Sequence, residues 1–170
     1  RRDEEDAFHR RREQEFHARR PELDARPAAP VPPPASAAVR NGIVVSTWEA
    51  GDQTARPLAY FGDLLGYVYA LDARTGKLVW RDRPDTHPNA TITGAPSLYR
   101  DTLFVPVSSL EVIAAANPKY VCCNFRGSVV AYDARTGGRR WQTYSVSEQP
   151  TTRGLTSVGT ARRGPSGAPV

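Results

Sequence analysis

The sequence predicts an all-β fold, a partial β-propeller of about two blades behind a charged, helix-compatible N-terminal tail. Two observations carry the prediction. From Asn41 onward the chain is a succession of short β-branched and aromatic runs separated by turn residues, most of them four to seven residues long. Two of those runs fall inside a gapless internal repeat. GYVYALDARTGKLVW (66–80) and GSVVAYDARTGGRRW (127–141) align at an offset of 61, with nine of 15 positions identical. Unrelated hairpins would not share that identity. The repeats are therefore read as blades, around 58–80 and 91–141, within a propeller unit covering 41–170.

The elements follow in order. Residues 1–25 are dense in charge, and Phe8 and Phe16 are too sparse to form an apolar helical face. They are expected to be a helical or disordered tail. Residues 26–40, with RPAAPVPPPASAAV at their centre, read as an extended Pro/Ala linker. Strands are then expected at GIVVSTW, LAYFGD, GYVYALD, KLVW, SLYRDTLFVPVSS, GSVVAYD and RRWQTYSV. LEVIAAANP allows a helical turn or two before Pro118 stops it. Within each repeat a strand ends at Asp, and DARTG makes a tight turn. The Asp carboxylate and Thr hydroxyl can bond local backbone there, while the Gly supplies a positive φ. The chain returns as a strand ending in Trp, an aromatic large enough to fill the space between adjacent sheets.

Charge and composition narrow the function classes. The net charge of +5 invites a nucleic-acid reading. However, the N-terminal arginines alternate with Asp3, Glu4, Glu5, Asp6, Glu13, Glu15, Glu22 and Asp24, which describes a solvated mixed-charge segment and not a phosphate-tracking stripe. No nucleic-acid partner is expected. No apolar run approaches about 18 residues, so no membrane-spanning helix is expected. Arg1–Arg2 is followed by acidic residues in place of an apolar region, which argues against a twin-arginine export signal. The chain has no methionine and begins at Arg1, so the natural start is expected upstream.

The two cysteines are adjacent, Cys122–Cys123, which matches neither zinc nor haem spacing. Ordinary disulfides hold their Cα atoms about 4.4–6.8 Å apart, whereas trans neighbours lie at about 3.8 Å. The pair is therefore either two buried thiols or a strained ring. Arg126, three residues on, offers a fork of donors suited to carboxylate or quinone oxygens.

The pattern A-x-D-x-x-T-G-x-x-x-W, at Ala70–Trp80 and Ala131–Trp141, resembles the tryptophan-docking motif of quinoprotein dehydrogenase propellers, which typically have eight blades. The stretch HPNATITGAPSLYRDTLFVPVSSLEVIAAANPKYVCCNFRGSVVAYDARTG and the later SVGT…GPSGAPV resemble the polyvinyl-alcohol-dehydrogenase-like branch. Together the resemblance covers roughly residues 58–170 and leaves 1–57 unmatched.

The resemblance implies a vicinal disulfide at Cys122 and Cys123 lying against the planar cofactor pyrroloquinoline quinone (PQQ), with Arg126 and Thr93 as further cofactor contacts. Ser166 and Gly167 would form a loop that lets backbone approach the same group, although Arg163 stands where the family often has an aromatic residue. It also implies Ca²⁺ as a second cofactor, with Glu111 as its ligand. The alternative for Glu111 is an exposed loop carboxylate. His87 is read as a packing residue, and the general base is expected beyond Val170. The implied activity of the parent protein is oxidation of an alcohol, polyvinyl-alcohol-like or another primary or secondary one. Electrons would pass to cytochrome c or a quinone acceptor in a periplasmic or secreted setting. The isolated segment is expected to be inactive and poorly stable. The competing reading is a non-catalytic propeller of the same repeat acting as a protein-binding scaffold.

Overall fold

A computed structural model describes residues 38–46 and 56–167, which belong to one compact unit. The expected charged tail, most of the Pro/Ala linker and the end of the GIVVSTW run lie outside the described residues. The fold is all-β, a partial propeller. Its first sheet is an antiparallel meander in chain order, β1 (Val44–Val45), β2 (Leu58–Gly62), β3 (Val68–Asp72) and β4 (Leu78–Asp82). In the second sheet β5 (Ala90–Thr91) and β6 (Ser97–Tyr99) both pair with β7 (Thr102–Ser109). β7 pairs with β8 (Ser128–Asp133), and β8 with β9 (Arg139–Tyr144). A separate hairpin joins β10 (Thr151–Leu155) to β11 (Ala161–Gly164). The short helix α1 (Glu111–Ala114) follows β7, where LEVIAAANP predicted a turn or two.

One expected strand run is divided. SLYRDTLFVPVSS turns at Arg100, which adopts φ 54°, so it supplies both β6 and β7. Pro106 accounts for a second interruption. It has no N–H to donate, and it sits between Phe104, the last β7 partner of β6, and Ser108, the first partner of β5. Along β7 the side chains alternate with period 2: Leu103, Val105 and Val107 are fully buried between half-buried neighbours.

The repeat turns form as their chemistry predicts. Oδ1 of Asp72 accepts from the backbone N–H groups of Arg74 and Thr75, both at 2.9 Å. Oδ1 of Asp133 accepts the equivalent bonds from Arg135 and Thr136 at 3.1 and 2.9 Å. Gly76 and Gly137 take φ of 70° and 73°.

The tryptophan of the first repeat joins the two sheets. Trp80 is 9% exposed, lies against Tyr132 with ring centroids 5.6 Å apart, and donates from Nε1 to the Ala134 carbonyl at 2.9 Å. Removing a ring buried in this way costs about 3–5 kcal/mol. Asp82, at the end of β4, reinforces the junction. It accepts from the Tyr132 hydroxyl at 2.7 Å and from the Arg139 guanidinium at 2.6 and 3.1 Å. Burial opposes the charge on Asp82, but these donors outweigh it and lower its pKa. One hydrophobic cluster therefore runs through both sheets, from Tyr60 and Val68 to Val130 and Tyr132.

Candidate functional site

The cysteines lie in the irregular segment between α1 and β8, where no ladder fixes the backbone over several residues. They form a vicinal disulfide, and the peptide bond between them is cis. The alternative of two buried thiols is therefore set aside. What holds the segment is a carboxylate. Glu111, the first residue of α1, is 4% exposed. Its Oε1 accepts from the Tyr120 hydroxyl at 3.0 Å and from the Asn124 backbone N–H at 3.1 Å, and its Oε2 accepts from the Phe125 backbone N–H at 2.9 Å. Burial, followed by the bond to Glu111, raises the pKa of Tyr120, which keeps that hydroxyl a donor. His87 completes the cluster. The Asn89 N–H donates to its Nδ1 at 3.1 Å, which places the proton on Nε2, 2.8 Å from Asn124 Oδ1 and 3.5 Å from Glu111 Oε1. The ring stands edge-on to Phe125. His87 is thus a packed, hydrogen-bonded residue.

A second segment comes alongside from forty residues further on. Arg163 donates its N–H to the Cys122 carbonyl at 2.6 Å, and Cys123 returns one to the Arg163 carbonyl at 3.2 Å. The pairing is parallel at Cys122 with Arg162 and again at Arg126 with Gly167, where Gly167 N–H donates to Phe125 at 3.1 Å. The disulfide and the GPSG loop, separate candidates in the sequence, are thereby brought side by side.

They open onto a cavity of about 410 Å³ whose walls include Cys122, Cys123, Tyr120, Ser166, Arg153, Arg162 and Arg163. Arg153 is steadied by Nε–H donation to the Gly164 carbonyl at 3.1 Å, and Arg163 by donation to the Pro150 carbonyl at 3.1 Å. Arg153, Arg162 and Arg163 join the disulfide in lining this recess, and the Arg153 guanidinium also pairs with Glu148 at 3.6 Å. Such a lining suits a planar ligand carrying several carboxylates. No Asp, Glu or His lines the recess among the described residues.

The other sequence candidates stand elsewhere. The Arg126 guanidinium donates to the carbonyls of Val146 and Ser147 at 3.4 and 3.0 Å and lies 4.0 Å over the Tyr144 ring, so its side chain is committed to the end of β9 and does not line the cavity. Thr93 is exposed and likewise not part of its wall. Gly167 serves through its backbone pairing. Glu111 is not the exposed loop carboxylate of one expectation. Two donors point at its Oε1 and one at its Oε2, so it stands here as a hydrogen-bond acceptor. Among the described residues no group of three or more His, Cys, Asp or Glu gathers around a possible ion. The arginines at 153 and 162 carried no sequence signal, because the pairing that recruits them is long-range.

The chain is similar to several known proteins. A model of the PQQ_2 family, described as outer membrane protein assembly factor BamB, matches residues 60–167. Polyvinylalcohol dehydrogenase from Pseudomonas sp. is 37% identical over 136 residues, 80% of this chain and 21% of that protein. The polyvinylalcohol dehydrogenase of Sphingopyxis sp. (strain 113P3) is 34% identical over the same shares. Among solved structures, the quinohemoprotein alcohol dehydrogenase ADHIIG from Pseudomonas putida HK5 aligns with 65% of this chain and 14% of its own, at 28% identity and a TM-score of 0.44. The chain spans about a fifth of the length of the curated relatives it matches.

Proposed function

This chain belongs to the PQQ_2 family, in its polyvinyl-alcohol-dehydrogenase-like branch, and from that premise we propose that it is the part of a PQQ-dependent alcohol dehydrogenase that carries the vicinal cysteines. The observation that carries the reading is the convergence of the Cys122–Cys123 disulfide, the GPSG loop and three arginines on one recess.

PQQ, when bound, supplies the two-electron redox chemistry. The residues here position it. The disulfide would present a face to the ring system, the arginines of the lining (Arg153, Arg162 and Arg163) would offer donors to its carboxylates, and Ser166 would add a hydroxyl. Arg126 and Gly167 hold the two segments of the wall together. Calcium has no fitting ligand set among these residues, and no step is assigned to it. The base that takes the alcohol proton is placed on parts of the protein outside this chain.

The proposed substrates are primary or secondary alcohols, polyvinyl-alcohol-like ones included, with a cytochrome c or quinone acceptor. The proposed setting is periplasmic or secreted, where a disulfide persists. The second reading, a protein-binding scaffold, is favoured by the description attached to the matching family. A scaffold needs neither the cysteine pair nor the arginines.

The test is alcohol-dependent dye reduction by the full-length protein reconstituted with PQQ. We expect turnover that falls at least about tenfold when both cysteines are replaced by serine, the scale of one lost positioning contact. Absence of turnover in every form, with partner binding unaffected by the replacement, would establish the scaffold.

A further inference from the structure

Residues 120–125 carry the disulfide, yet on the side facing α1 their backbone meets no strand. The Tyr120 N–H turns back to the Asn117 carbonyl at 2.9 Å, and those of Asn124 and Phe125 go to Glu111. Its carboxylate grips Tyr120, two residues before the pair, and Asn124 and Phe125, immediately after it. The bonds therefore span the cysteines from both ends. Further bonds brace the grip. Asn89 Nδ2 donates to the Tyr120 hydroxyl at 3.0 Å, and the His87 ring holds the Asn124 side chain. A buried carboxylate surrounded by donors is a strong anchor, because removing it leaves buried N–H groups without partners.

We infer that Glu111 is a positioning residue that locks the vicinal disulfide against the cofactor recess, and that it is not a metal ligand. The inference rests on the reading of that recess as the PQQ site. A cation approaching Oε1 would meet the hydrogens of Tyr120 and Asn124, and one approaching Oε2 would meet that of Phe125. Glu111 acts on the ligand only through Cys122 and Cys123, which line the cavity while it does not.

The test is made on the full-length protein without cofactor, so its result is independent of whether PQQ binds. The pseudo-first-order rate of Cys122–Cys123 reduction by dithiothreitol is measured under native conditions. Glu111→Gln keeps the size of the side chain but turns an amide donor towards a backbone donor. It should speed reduction about tenfold to a hundredfold, the scale of losing charge-assisted bonds. Tyr120→Phe, which deletes one bond and preserves the fold, should give about threefold to tenfold. Gly76→Ala, which strains the first repeat turn at a point where an added Cβ meets nothing within 4 Å, serves as the control and should leave the native-state rate unchanged. Calcium affinity, measured by titration calorimetry, should be the same in Glu111→Gln and wild type. The inference is overturned if Glu111→Gln raises the rate no more than Gly76→Ala does, or if Glu111→Gln abolishes calcium binding.

Discussion

Asp133 shows how one side chain can organise a turn. Its Oδ1 collects the N–H groups of Arg135 and Thr136 and the Thr136 hydroxyl, while Arg140 donates to Oδ2 at 2.9 Å. The bond from Arg140, then those from Thr136, hold its pKa down to about 2. An unfolded aspartate titrates near about 3.9. The turn's contribution to stability is therefore complete above about pH 4 and is lost as pH falls towards about 2. The melting temperature of the wild type should drop through that window, and Asp133→Asn should show a lower but flatter profile across it. Parallel profiles would mean that the turn draws nothing from the charge. Asp133 was legible because every partner but Arg140 lies within three residues. Arg126 was not: its fork suits an anion, but Tyr144 and the carbonyls at 146 and 147 claim it across 18 to 21 positions of chain. The burial of Glu111 was not legible for the same reason, since its donors come from residues 120–125.

At the scale of the element, the two repeat turns have the same backbone but different neighbours. Gly76 and Gly137 share a positive φ, and an L side chain in that conformation costs about 1–2 kcal/mol. A Cβ at Gly76 would meet nothing within 4 Å, whereas one at Gly137 would stand 2.6 Å from the Trp80 ring. Gly76→Ala should lose only the conformational cost. Gly137→Ala should lose about 1–3 kcal/mol more through overpacking, as measured by urea denaturation. Equal losses would contradict the docking of Trp80 on that turn. Strands with β-branched and aromatic alternation, such as β3 and β8, were readable from pattern alone. β10 and β11, whose sequences are TTRGL and ARRG, have no such alternation and were missed. They pair with each other by register, and no local preference announced it.

Across the whole molecule the two tryptophans of the repeat have opposite fates. Trp80 is covered by the second sheet, while Trp141, its counterpart 61 residues later, is 46% exposed and, among the rings of the described residues, packs against Phe104. The repeat implies that a further turn of the same type belongs over Trp141, as the turn at Gly137 lies over Trp80. The propeller was legible because the repeat is written twice in the chain. The recess was only half legible: its cysteines and Ser166 stand out, but Arg162 and Arg163 are supplied by a parallel pairing between residues 122–127 and 162–167, and Arg153 by the β10–β11 hairpin. The central claim is that this recess binds PQQ through the disulfide wall, and direct titration of PQQ into the full-length protein, followed by quenching of tryptophan fluorescence, tests it. The account predicts saturable binding by the wild type and at least about tenfold weaker binding by the Cys122→Ser/Cys123→Ser variant. Equal affinity in the two forms, or no saturable binding in either, would contradict it.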